Sequence, residues 1–150
     1  MKSIKNILVT TDFSTDSDTA VEEAAWLAKK FHSKLYMIDV VDRIEECTGD
    51  YCMPYEIVQG EREKLFKDAR KRMAKKVAEM ESKFQIKAVA DIRYGDAYDE
   101  IMKEELERHI DLIVLAPHER KTIGGKLFSH LSDKLAKNSP CDTLLVKQHA

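Results

Sequence analysis

Five short apolar runs, NILVTT, KLYMIDVV, KAVADIRY, DLIVLA and DTLLVK, alternate with segments whose apolar residues recur at helical spacing, and this alternation constrains the chain more than any other feature. NILVTT is rich in β-branched residues and stops at Asp12. From about Ser17, the residues Ala20, Val21, Ala24, Leu27, Ala28 and Phe31 then mark one face of a helix. KLYMIDVV reads as a second strand. After a polar stretch from roughly Arg43 to Gly60, read as a long loop, Phe66, Ala69, Met73, Val77, Met80 and Phe84 form the stripe of a long helix with a Lys- and Glu-rich solvated face. KAVADIRY is a third strand turned by Gly95, Ile101 and Leu106 mark the inner face of the next helix, and DLIVLA follows as a fourth strand. A loop, a helix from about Leu127 to Asn138 and the turn Ser139-Pro140 lead into the fifth, DTLLVK.

Short apolar strands separated by helices form a parallel sheet covered on both faces, so the spacing predicts an α/β, doubly wound, Rossmann-like fold. Sheets of this kind take ligands outside the carboxyl ends of their strands, where the strand order reverses, which places Asp12, Val40 and the stretch from Ala116 to Glu119 at the expected rim. At 150 residues the chain suits a single domain, 1–150, able to bury about 68–70% of its unfolded surface without metal or disulfide staples. Its 25 Lys and Arg against 27 Asp and Glu give a net charge of −2, which weighs against a general nucleic-acid or membrane-surface binder. No run has the length of a bilayer span, and MKSIKNILVTTDFS passes from a short basic stretch into a strand with no signal-peptide pattern. The expected location is the cytoplasm.

Three cysteines, Cys47, Cys52 and Cys141, make an odd count that suits a reducing compartment, and the expectation is three free thiols. ECTGDYC holds two of them four residues apart with no nearby His to complete a zinc set, so no metal is assigned; a redox pair is the alternative. His118 lies at the rim without a Ser or Cys partner at recognisable spacing and reads as a structural histidine, Trp26 as a partly buried helix residue, and no catalytic residue is named. GGK at Gly124–Lys126 lacks the leading glycine and following Ser or Thr of a phosphate loop.

ILVTTDFS, DVVD, YGDAYDEI, DLIVLAPH and SPCDTLLV, in this order and across nearly the whole chain, resemble the universal stress protein family. The resemblance implies a five-stranded sheet in the order 3-2-1-4-5, a homodimer and a cytoplasmic role in stress survival. It also implies nucleotide-site positions. Asp12 matches the family's adenosine-contacting Asp and Val40 the residue whose backbone meets the base, although a turn cap and a sheet filler would need the same two residues. The family's ATP loop reads Gly, two residues, Gly, nine residues, then Gly and Ser or Thr. In this chain those places hold Ala116, Glu119, Ser129 and His130. Glycines there allow backbone amides to approach phosphate oxygens, and the side chains present here occupy that approach. A carboxylate about 4 Å from a phosphate costs ~4 kcal/mol at an effective dielectric of 20. Arg120, Lys121, Lys126 and Lys134, with Ser129, are the groups able to meet an anion.

The resulting expectation is a non-enzymatic stress-response protein acting through protein contacts, with no tightly bound ATP and no required cofactor. Two alternatives stand beside it. One is an adenine-nucleotide binder that uses Lys and Arg with Mg-ATP in place of the glycine amides. The other is a phospho-acceptor receiver domain, which fails because Thr11-Asp12 supplies one acid where two are needed and Tyr94-Gly95 follows the third strand where an acceptor Asp belongs. Thr143, Leu144, Leu145 and Val146 form an apolar strand expected at a sheet edge, where pairing with a second copy is expected.

Overall fold

The computed structural model describes residues 3–117 and 131–147. Along the chain run β1 (Asn6–Thr10), α1 (Thr15–Phe31), β2 (Lys34–Val41), β3 (Cys47–Thr48), β4 (Tyr51–Cys52), α2 (Tyr55–Phe84), β5 (Ala88–Tyr94), α3 (Ala97–Arg108), β6 (Leu112–Leu115), α4 (Leu131–Asn138) and β7 (Asp142–Leu145). The long strands form one parallel sheet in the order β5-β2-β1-β6-β7, and β3 and β4 pair separately. Counting only the sheet strands, this is the expected order 3-2-1-4-5.

The apolar strands lack polar alternation because both faces of the sheet are covered. Ile7 and Val9, in register with Leu35 and Met37 on one side and with Leu112 and Val114 on the other, pack under Ala20, Ala24 and Ala28 of α1 and Met73 and Met80 of α2. Leu8, Tyr36, Ile38, Ile113 and Leu115 point the other way, toward Ile101 of α3 and Leu135 of α4. Ile7, Leu8, Met37 and Ile113 have no exposed surface, and burying each side chain contributes about 1.5–3 kcal/mol.

Three sequence expectations need correction. The stretch from Arg43 to Gly60 is not one long loop: Tyr55 already opens α2, a helix of 30 residues and so about 45 Å long. Its first two turns escaped notice because only Val58 is buried there, and Gly60 faces open space. Secondly, Leu106 does not mark the inner face of α3. It is 68% exposed, while Glu104 and Glu105 are buried among polar partners; Phe31, at the end of α1, is likewise exposed. Thirdly, Cys47 and Cys52 are joined as a disulfide, and Cys141 is the free cysteine among the described residues. The antiparallel register sets Cys47 directly opposite Cys52, and Gly49, at φ 62°, makes the tight turn between them.

The helices are capped unevenly. Ser14 accepts the Ser17 N–H at 3.2 Å at the start of α1, with Asp16 and Asp18 in the first turn and Lys29 and Lys30 in the last, in keeping with the helix dipole. At their C-termini, α1, α2 and α3 end on His32, Gln85 and His109, all left-handed, where glycine is the unstrained choice. The Gln85 N–H closes α2 onto the Glu81 carbonyl at 2.9 Å, and its side chain is exposed. Replacing Gln85 with Gly keeps that bond and relieves a conformation costing roughly 1–2 kcal/mol for a residue with a Cβ, part of which returns as unfolded-state entropy. Q85G is expected to stabilise the fold by about 0.5–1 kcal/mol, which thermal and urea unfolding will measure.

Candidate functional site

The cleft follows from a difference in strand length. The β1–β2 ladder ends at Thr10 and Ile38, and one further bond, Thr11 N–H to the Ile38 carbonyl at 3.0 Å, finishes it. Beyond this point β2 runs on through Asp39, Val40 and Val41, paired among the described residues only with Ile92, Arg93 and Tyr94 of β5. Successive residues of a strand direct their N–H and C=O groups to alternate sides. Ile38 bonds toward β1 and Val41 toward β5, where its carbonyl accepts the Gly95 N–H. Val40 therefore offers its backbone donor and acceptor past the end of β1, into the cleft.

Below the overhang the chain turns sharply. The buried Thr11 accepts the Phe13 N–H on Oγ1 at 3.0 Å, and Asp12 Oδ1 accepts the Ser14 N–H at 3.0 Å, an Asx-type turn that delivers Ser14 as the cap of α1. This crossing holds Phe13 at φ 64°, a left-handed conformation that a bulky residue adopts only when its surroundings impose it. Ile38, Val40, Ile101, Leu115 and Leu131 give the cleft apolar walls, Ala116 closes it at the end of β6, and Asp12, Asp39 and Asp42 stand at its rim. Its enclosed part measures only about 90 Å³, below the usual range for small-molecule sites, and the rest of the space between these residues opens to solvent.

Asp12, Val40 and Ala116, named from sequence, thus line one cleft. Glu119, Arg120, Lys121, Lys126, Ser129 and His130, together with His118, Gly124 and Gly125, lie outside the described residues. Lys134 is not on the cleft wall; its ammonium sits 4.1 Å from the Tyr98 ring centroid. As site residues, sequence reasoning did not single out Asp39, Asp42 or Ile101, the last of which it named only as a helix marker. The first two stand in the quoted DVVD, and a register argument on β2 would have put them beside the overhang. Among the described residues no group of three His, Cys, Asp or Glu is arranged to hold a metal, and no helix is long and apolar enough to cross a membrane.

Residues 3–147 match the universal stress protein family. The chain belongs to that family. A universal stress protein of Methanocaldococcus jannaschii is 28% identical over 144 residues, covering 96% of this chain and 82% of its own length. The fold superposes on universal stress protein UspA from Lactobacillus plantarum with a TM-score of 0.81, at 19% identity and over 97% and 99% of the two chains. It also superposes on the Archaeoglobus fulgidus universal stress protein in complex with dAMP, with a TM-score of 0.66 at 14% identity, over 97% of this chain and 100% of that one.

A polar cluster fixes the wall of this universal stress protein's cleft. Arg93, in register with Val40, donates to Glu104 from Nε at 2.8 Å, to Glu100 from Nη1 at 3.3 Å and to Glu107 from Nη2 at 2.5 Å, tying the end of β5 to the helix whose first turn carries Ala97 and Ile101 into the cleft. Arg108 adds a two-oxygen contact with Asp91 at 2.9 and 3.1 Å and approaches Glu104 at 3.4 Å. Lys103 and then Arg93 hold the Glu100 carboxyl below its ordinary range. Burial, reinforced by the neighbouring Asp91 carboxyl, pushes Glu104 up to about 7 despite the pull of Arg93.

A carboxyl that holds its proton more tightly folded than unfolded makes folding take up a proton between its ordinary 4.5 and about 7. Its contribution to stability therefore falls as pH rises through that window and levels off above it. Denaturant unfolding from about pH 5 to pH 8 should show this decline in the native protein and a flatter profile in Glu104→Gln, whose amide can still face both Arg93 and Asp91. Equal slopes in the two proteins would remove Glu104 as the cause.

Proposed function

We propose that this universal stress protein is a cytoplasmic, non-enzymatic binding protein of the stress response, working through contacts with other proteins as a homodimer. Its cleft takes the nucleoside end of adenine nucleotides, and the phosphate end is not built for tight ATP binding. The observation that carries this reading is the Val40 overhang. A backbone donor and acceptor facing an apolar slot suit the edge and faces of a purine, and carboxylates at the rim suit ribose hydroxyls. The dAMP complex of the Archaeoglobus fulgidus protein supports a nucleotide of this class.

The ATP-loop places add to this. Ala116 stands where the first glycine belongs, and Glu119, Ser129 and His130 hold the other three. Arg120, Lys121 and Lys126 supply positive charge, at an ordering cost of up to ~2 kcal/mol for each long side chain. Calorimetry with Mg-ATP is expected to give a dissociation constant weaker than about 100 μM, or about −5.5 kcal/mol, with AMP binding no more weakly than ATP. The combined change Ala116→Gly, Glu119→Gly, Ser129→Gly and His130→Ser should tighten ATP binding without a matching gain for AMP. Low-micromolar binding of ATP by the native protein, or ATP carried through purification, would replace this reading with the Lys- and Arg-based Mg-ATP alternative.

The dimer reading rests on β7. Among the described residues it lies at the sheet edge, paired only with β6, and Leu144 and Leu145 are 37% and 42% exposed. An apolar edge strand is a template for a second copy across a two-fold axis. Thr143 to Val146 should form that contact, so sedimentation at micromolar concentration is expected to show a dimer that Leu145→Pro dissociates. A native protein that sediments as a monomer would refute it.

A further inference from the structure

The excursion between β2 and α2 carries the disulfide-linked hairpin, and neither core reaches into it. No residue from 43 to 53 belongs to either hydrophobic cluster. Cys47 and Cys52 are both exposed. Two contacts hold the hairpin in place without the sulfurs: the Met53 N–H donates to the Glu46 carbonyl at 2.7 Å and closes its open end, and the Ile44 N–H donates to the Tyr94 hydroxyl at 3.0 Å and anchors its stem to β5. A disulfide in such a position does not staple the sheet. With the bond open, register and backbone bonds still keep the two thiols facing each other in reach of solvent.

We propose that Cys47 and Cys52 form a reversible thiol–disulfide exchange site that reacts with low-molecular-weight disulfides and thiols. In the oxidising direction, one cysteine thiolate attacks a sulfur of the small disulfide, forming a mixed disulfide and releasing one small thiolate. The other cysteine thiolate then attacks the protein sulfur of that mixed disulfide, closing Cys47–Cys52 and releasing the second small thiolate. The protein dithiol gives up two electrons and two protons, and the small disulfide becomes two thiols. Cys141 is the internal control. It is partly buried, its Sγ lies 3.3 Å from Ser139 Oγ, and burial pushes its thiol up to about 11, where little thiolate forms.

Charge sets which small molecules react fastest. Glu45, Glu46 and Asp50 are exposed around the pair and outnumber Arg43, so a cationic disulfide is drawn to the hairpin and an anionic one repelled.

The test uses the full chain, reduced and desalted, then equilibrated in the folded state with cysteamine and cystamine at a series of ratios, quenched with acid, alkylated under denaturing conditions so that every free thiol is counted, and read by mass spectrometry. The number of alkylatable thiols is expected to fall from three to one across the series and to return to three when the ratio is reversed without denaturant. Cys47→Ser is expected to stop at the mixed disulfide on Cys52. At low ionic strength cystamine is expected to close the pair severalfold faster than glutathione disulfide, the ratio shrinking with added salt. Circular dichroism and thermal unfolding should show the same folded sheet in both redox states. Three thiols persisting at every ratio would overturn the proposal. So would a disulfide that small thiols reduce only in denaturant, links between chains in place of the hairpin bond, or loss of the fold on reduction, which would make the bond a structural staple. Faster closure by glutathione disulfide would overturn the charge assignment.

Discussion

The central strand stops before its neighbour does. β1 is bonded on both sides, to β2 and to β6, so the chain leaving it at Thr10 has no edge along which to continue and must turn out over the sheet. The turn is made by side chains: Thr11 and Asp12 each accept the backbone N–H two residues on, and Ser14 then starts α1. A sheet of this kind opens a crevice where connections from adjacent strands diverge to opposite faces. Here that crevice is deepened because β2 runs three residues further than its β1 ladder, and the left-handed Phe13 is part of what this sharp exit demands.

The fold was legible because its signals are redundant. Strand composition, strand length and the helical stripes of α1 and α2 all report the same two-faced sheet, and the residues flagged at Ala20, Ala24, Ala28, Met73 and Met80 are core residues. The misreadings arose where burial and hydrophobicity part company. The first two turns of α2 stand largely in solvent, so no stripe announces them. On α3 the inner positions belong to Glu104 and Glu105, which periodicity assigns to solvent. Glu104 meets Arg93, and Glu105 accepts the Ser139 hydroxyl at 2.9 Å and the Cys141 N–H at 3.2 Å, holding the turn that leads into β7. Apart from Arg108 one turn along the same helix, their partners come from β5 and from the α4–β7 turn, 11 to 36 residues away, and a local sequence window contains no trace of those pairs.

The candidate site was legible in part for the same reason. Asp12 and Val40 sit at strand ends that any reading of the sheet would place at the rim. The overhang itself depends on register, because a shift by one residue would turn Val40's backbone groups toward β5 and away from the cleft. The Cys47–Cys52 pairing was missed on an argument about compartment, although the spacing around Gly49 suffices for a two-residue hairpin that sets the cysteines opposite each other.

Two electrostatic regimes meet around the cleft. Behind its wall, buried carboxylates are matched by Arg93 and Arg108, a cluster whose members depend on one another because removing either cation leaves charge stranded in a poorly solvated place. At its mouth, the half-buried Asp12 and Asp39 and the exposed Asp42 line the opening, each engaged in contacts of its own. On the proposed reading, an uncharged purine and sugar would meet the apolar walls, the backbone edge and these hydroxyl acceptors. The Arg93 cluster ties the end of β5 to α3 behind that wall, so the apolar side of the slot and its carboxylate rim are built from different parts of the chain.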